Sequence, residues 1–389
     1  MKFLFYLLIG CVLFSGCITE YEAKGLNEVK NILVVEGIIT EGETRITLSR
    51  SLNLTDKNLS SVYVDDATVS IECDDGTLLQ AVKSPADQRI GRYVIYVDKL
   101  HFDRKYRLRI EVEEEDYNSD CLENKDGVLD CPKKQYAYFS DYMTPIITPE
   151  IDSVFWTKKG KGQMVNIHVA THSPDNKVLY YRWSYKEDWE IHSDNYSVDP
   201  FVYPYYCWSL NNSKDLLVGS AEKTVFGRLT DVIAEIHPSN RKLEVLYRIN
   251  VRQNAISKRA YDYYTNIKKN TQKTSDIFAP IQSELRGNIT CLTDPNRPVI
   301  GYVDISSTTQ KTRYIPRLEN AYEYSSRSYD CESVMEDSLL VWYDMIPDRY
   351  VPFEDSFDEN LQPRLFYILR QCVDCTLFGK TEKPDDWPQ

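Results

Sequence analysis

Apolar side chains in this chain recur at alternate positions, in short runs broken by turn residues. That pattern limits the fold more than any other feature. Val165-Asn166-Ile167-His168-Val169 is the cleanest run. Further strands are read at Asn31 to Gly37, Thr44 to Leu48, Ala67 to Cys73, Arg92 to Val97 and Tyr106 to Val112. Successive side chains of a strand point to opposite faces, so alternation marks one buried and one solvated face. Turn chemistry such as Asp74-Asp75-Gly76 separates several of these runs. Short strands at this spacing predict an antiparallel sandwich. The 29 tyrosines fit the same reading, because aromatic residues favour strands.

With 389 residues the chain has room for two or three domains. The fold class expected is mainly β. An N-terminal immunoglobulin-like antiparallel β-sandwich over residues 30–147 is followed by a larger β-rich domain over 148–389. Pro145 and Pro149 mark the join. One helix is predicted at 257–270. Ser257 caps it, and Ala260, Tyr261, Tyr264 and Ile267 fall on one face. Lys158 to Gly162 reads as a hairpin tip.

The first residues address the chain to a membrane. Met1-Lys2 is a short positive start, Phe3 to Phe14 is an almost unbroken apolar run, and Ser15-Gly16 precedes Cys17. That order describes a cleaved signal over residues 1–16 with a lipoprotein processing site. The run is shorter than the roughly 20 apolar residues that a spanning helix needs. Cys17 is thus the expected lipidation site, carrying acyl chains such as palmitate, with residues 17–29 as a tether. The net charge of -13 argues against nucleic acid, whose partners need a basic face. It also argues against electrostatic attachment to anionic lipid, which leaves the Cys17 lipid as the anchor.

Cys11 falls in the signal, and eight cysteines remain besides Cys17. A secreted route permits disulfides. Cys121 and Cys131 flank a short polar loop and are expected to pair. Cys73 sits on the apolar side of an alternating strand and is expected to be a buried free thiol. Cys207, Cys291, Cys331, Cys372 and Cys375 are candidates for one or two long-range bridges.

Several near matches to catalytic or metal patterns fail on geometry. His168 and His172 have a helical metal spacing but lie on an extended run, where four residues span roughly 13 Å. Glu123 to Asp130 resembles a calcium loop, yet Leu122 and Lys133 occupy positions that need acidic ligands. Cys372-Val373-Asp374-Cys375 lacks the strand-then-helix setting of a redox pair, and a structural disulfide knot fits better. Gly160-x-Gly162 lacks a third glycine and a following helix. No catalytic residue, metal or cofactor is therefore expected.

Other blocks carry a family resemblance. They are Asn31 to Thr40, Tyr180-Tyr181-Arg182-Trp183, Cys207-Trp208, and Gln253-x3-Ser257-x2-Ala260-Tyr261. Then come Leu285-x-Gly287-Asn288-Ile289-x-Cys291, Pro298 to Val303, Cys372-x2-Cys375-Thr376 and Lys383-Pro384-x2-Trp387. In this order the blocks resemble the Bacteroidota lipoproteins catalogued as domain of unknown function 4249. The resemblance implies an outer-membrane lipoprotein whose partner is a TonB-dependent receptor of the SusC type. It also implies a surface-export signal at Glu20 and Glu22, and it carries over no catalytic residue. The expectation is a non-enzymatic accessory or binding subunit on the cell surface, with Trp156, Trp183, Trp189 and Trp208 as candidate contact residues or core. A surface hydrolase using two carboxylates and a surface adhesin are the alternatives.

Overall fold

The computed structural model describes residues 32–51, 63–83, 91–116, 121–123, 129–160, 162–197, 199–237, 240–273, 287–317, 331–335, 349–357 and 363–388. Cys17 and the centre of the calcium-like loop lie outside these residues.

The first half carries β1 (Leu33–Ile39), β2 (Gly42–Arg50), β3 (Thr68–Cys73), β4 (Leu78–Gln80), β5 (Val82–Lys83), β6 (Arg92–Val97) and β7 (Tyr106–Glu115). A small hairpin, β8 (Leu122–Glu123) and β9 (Leu129–Asp130), precedes β10 (Lys133–Ser140). The second half holds β11 (Ile151–Lys158), β12 (Val165–Thr171), β13 (Tyr180–His192), β14 (Tyr206–Asn212), β15 (Leu217–Ser220), β16 (Leu229–Ile236) and β17 (Leu246–Ala255). Helix α1 (Lys258–Lys273) follows, then β18 (Ile289–Cys291), β19 (Val299–Ile305) and β20 (Thr308–Pro316). The chain ends in β21 (Val334–Met335), β22 (Tyr350–Phe357) and β23 (Pro363–Leu369).

The architecture is mainly β, as the alternation predicts. Two five-stranded sheets, β19-β1-β2-β6-β5 and β18-β10-β7-β3-β4, face each other across one core. Leu33, Val35, Ile46, Leu48 and Ile95 from one sheet meet Val69, Ile71, Leu108, Ile110 and Tyr138 from the other. Burying each such aliphatic side chain contributes about 1.5–3 kcal/mol.

This sandwich is not confined to residues 30–147. An excursion from within the second unit, between β17 and β20, returns to add an edge strand to each sheet. β18 pairs antiparallel with β10, and β19 pairs parallel with β1. Close backbone contact locks the return. A Cβ on Gly287 would sit 1.5 Å from the carbonyl oxygen of Gly301. Asn288 clamps the same point, donating to Val303 O at 2.7 Å and accepting from Val303 N at 2.9 Å.

The second unit repeats the layered logic. β11-β12-β16 packs over β14-β13-β17-β20, with β15 also on β13. β12 alternates perfectly, burying Val165, Ile167, Val169 and Thr171. β11 and β12 pair antiparallel up to Lys158 and Val165, either side of the predicted hairpin tip. A third, three-stranded sheet, β21-β23-β22, holds the C-terminal region.

Helix α1 joins the two units. Ser257 Oγ accepts from Ala260 N at 3.2 Å, which caps its first turn. Ala260, Tyr263 and Tyr264 are buried against Tyr302 and Ile38 of the first sandwich and Tyr180 and Val218 of the second. Tyr263 belongs to the buried face beside the residues the periodicity selects.

Candidate functional site

A polar seam runs between the sandwiches. Thr148 N donates to Ser307 Oγ at 2.9 Å, and Thr148 Oγ1 accepts from Ala255 N at 2.9 Å. Asn254 Nδ2 reaches Ser306 Oγ, Ser307 O and Thr308 Oγ1. Gln253 Nε2 donates to Pro149 O at 2.9 Å, while its Oε1 accepts from Trp183 Nε1 at 2.8 Å. Asp304, buried at 3 % exposure, accepts from Ser257 N at 2.6 Å. Burial pushes its carboxyl above the usual range, while the two backbone N–H groups it accepts from pull it down.

Beside this seam opens a cleft of about 210 Å³, walled by β1 and β2 on one side and β13 and β17 on the other. Strand register explains its lining. On β13 and β17 the residues Tyr181, Trp183, Val251 and Gln253 turn inward and are buried. Arg182 pairs with Asn254 and Ser184 with Arg252, so these four share the outer face. They look across the cleft at Ile38, Thr40, Glu43 and Arg45. Arg182 lies over the ring of Tyr264, 4.8 Å from its centroid, and donates to the Tyr264 hydroxyl at 3.0 Å. That hydroxyl in turn donates to Tyr302 O at 3.0 Å. Arg45 pairs with Glu43. Arg252 has no ion-pair or hydrogen-bond partner for its side chain among the described residues.

Elsewhere, buried carboxylates are consumed by the structure. Glu114 ends the inward row of β7 and is held by Arg50 at 2.6 Å, by Arg297, and by the Tyr138 hydroxyl at 2.9 Å. Glu187 accepts from Tyr247 at 2.7 Å and Asn211 at 2.9 Å, and pairs with Lys242. Burial, then the Glu187 charge, pushes the Tyr247 phenol far above its ordinary value. Asp188, on the opposite face, holds Arg248 at 2.9 Å. Arg248 also donates to Asp385 O at 3.0 Å, and Trp387 Nε1 donates to Glu190 at 3.1 Å. The C-terminal tail thus covers one end of the same outer face whose other end opens into the cleft.

The cysteines fall as follows. Cys121 bonds Cys131, Cys207 bonds Cys375, and Cys331 bonds Cys372. Cys73 is a buried free thiol, and burial pushes it up. Cys291 corrects the expectation of a bridge: it is a buried free thiol too. It lies opposite Tyr138 on an inward-facing position of the first sandwich, separated from the C-terminal cysteines that find each other. Cys372 and Cys375 bond different partners and do not form a pair with each other. Asp194 lies beside the Cys331–Cys372 bond, where neither sulfur is a thiolate that could bind a metal.

The histidines stand apart. His168 bonds Thr157 at 2.8 Å and stacks on Phe155. His172 meets Asp152 at 2.8 Å, and His192 meets Glu190 at 2.6 Å. Among the described residues, no serine or cysteine side chain hydrogen-bonds to the His172 or His192 imidazole. Of the tryptophans, Trp183 is core, Trp189 and Trp208 are half-buried, and Trp156 is 37 % exposed. The cleft itself was not among the sequence-derived candidates. Only the outward positions of two far-separated strands bring Arg182 and Arg252 together.

Residues 18–126 and 129–312 match the model of a family described as a domain of unknown function, DUF4249. The chain belongs to that family. The match spans both sandwiches and stops before the C-terminal sheet. No curated protein matches the chain. Among the described residues, no helix is long and apolar enough to cross a membrane.

Proposed function

We propose that this DUF4249 chain is an outer-membrane lipoprotein, facing the cell surface. In this reading it acts as a non-enzymatic accessory or binding subunit of a TonB-dependent, SusC-type nutrient uptake system. The leader ending at Cys17 supports the anchor, and the family resemblance supports the receptor partner. The observation that carries the binding role is the cleft between two sandwiches joined by a hydrogen-bonded seam. Strands from separate units wall the recess, and small-ligand sites are commonly concave and preformed at such junctions. Glu114, Glu187 and Asp188 are tied into ion pairs, and Asp304 is held by the Ser257 and Ile305 backbone N–H groups, an arrangement that suits a scaffold better than acid–base chemistry.

The test is affinity purification of the tagged lipoprotein from mildly solubilised outer membranes, with mass spectrometry of what accompanies it. A stoichiometric TonB-dependent receptor is the expected result. A clean monomer overturns the partnership and returns the hydrolase and adhesin readings to the front. Radiolabelled palmitate should enter the wild-type chain and not Cys17→Ser.

A further inference from the structure

We infer that the cleft between the sandwiches is an anion site. It would take a ligand through a carboxylate or phosphoryl group held by Arg182 and Arg252. This rests on the binding reading above but not on the receptor.

The first observation is placement. Arg182 and Arg252 stand at diagonal positions on one face of the β13–β17 pair. Diagonal neighbours lie about 7–8 Å apart, within reach of long side chains. Two guanidinium groups at that separation can converge on one oxyanion. Each offers several N–H donors in a fixed fork, the geometry that carboxylate and phosphate accept.

The second observation is preparation. The Arg182 head is fixed by stacking on Tyr264 and by one N–H to the Tyr264 hydroxyl, a hydroxyl already oriented by Tyr302 O. This leaves its remaining donors free and spares the ordering cost on binding. Arg252 is the complementary case, a cation with no partner among the described residues at the mouth of the recess. Glu43 offsets Arg45 across the cleft, so the two β-strand arginines opposite remain the net positive charge.

The third observation is contrast. The chain carries a net charge of -13, yet this recess gathers three arginines against one carboxylate. On the same outer face, Arg248 is neutralised by Asp188 and covered by the tail. The sheet thus pairs its cation where it is closed and leaves cations available where it is open. The Ser184 hydroxyl and the Asn254 Oδ1 add hydrogen-bonding groups beside them, which suits the hydroxyls of an acidic sugar.

The experiment uses the full lipoprotein in mild detergent, titrated calorimetrically with inorganic phosphate, galacturonate and galactose. Saturable binding of phosphate or galacturonate, weakened at least tenfold in Arg252→Gln and unchanged in Arg104→Gln, is the expected result. The tighter of the two anions identifies the source of the charged group. Arg252 is exposed, so its variant should keep the wild-type melting curve. Arg182→Lys, which keeps the charge and loses the fork, should weaken binding by less than Arg252→Gln does. Three results overturn the inference: no saturable anion binding, equal binding of galactose and galacturonate, or full affinity in Arg252→Gln. Because no receptor is present, such a failure leaves the co-purification result untouched, and a lone monomer in that purification leaves this titration untouched.

Discussion

At the scale of single residues, the tyrosines tell most about what the core demands. Tyr136, Tyr138, Tyr181 and Tyr247 are among the largest fully buried side chains. A buried phenol must find a partner for its hydroxyl or pay for desolvation. Tyr93 gives its proton to Val64 O at 2.8 Å and accepts from Ala67 N at 3.0 Å. Burial pushes Tyr93, Tyr181 and Tyr263 each up to about 12 from 10.0. The consequence for stability has a definite sign. Between about pH 10 and 12 the folded chain holds protons that the unfolded chain has released. Stability is therefore complete below pH 10 and falls as pH rises towards 12, by about 1.4 kcal/mol per pH unit for each such tyrosine. Urea unfolding at pH 9, 10, 11 and 12 should show the midpoint dropping only above pH 10. Ultraviolet titration should show a late class of tyrosines. A midpoint flat to pH 12 would remove burial as the cause.

At the scale of elements, the legible part of the fold is the part set locally. Alternation on β12 and the hairpin to β11 could be read because each strand carries its own buried face. The cap at Ser257 was visible for the same reason. Pairing partners far along the chain were not, and cysteines show this plainly. Cys121 and Cys131 enclose a short loop, whereas Cys207 and Cys375 are 168 residues apart. Tertiary contacts bring that last pair together, among them the backbone bridge between Trp208 and Lys380 and the bond from Cys375 N to Pro204 O. Closing so long a loop constrains the unfolded chain most, by about 2–5 kcal/mol. Replacing Cys207 and Cys375 together by Ala should cost that much in guanidinium unfolding. It should also free the C-terminal tail, seen as faster amide exchange at Trp387. Intact stability in the double variant would mean that Arg248 and Glu190 hold the tail unaided. The cleft was illegible for the reason the long bridge was: outward polar positions read as plain solvent face until register sets Arg182 beside Arg252.

At the scale of the whole molecule, the order of strands makes the two sandwiches one folding problem. The first cannot finish until the chain has laid down most of the second, passed through α1 and come back, and the second then still needs β20. β18 and β19 bring Ile289, Cys291, Val303 and Ile305 into the first core. They also cover one edge of each sheet, and an uncovered edge is a template for aggregation. A fragment of residues 30–147 therefore has the alternating strands that predict a sandwich yet lacks two of its ten. We expect it to collect as aggregate or as a loosely packed state, with strand signal in far-ultraviolet circular dichroism and no near-ultraviolet tyrosine signal. Joining residues 287–307 to its C-terminus through a flexible Gly/Ser linker should restore a cooperative urea transition, since it supplies both edges and the Asn288 clamp. Gly287→Val in that joined chain should abolish the rescue, because any Cβ there collides with the Gly301 carbonyl. A sharp transition from the 30–147 fragment alone would show that the returning strands decorate a sandwich already complete, and would make the cleft beside them a late addition to an independent domain.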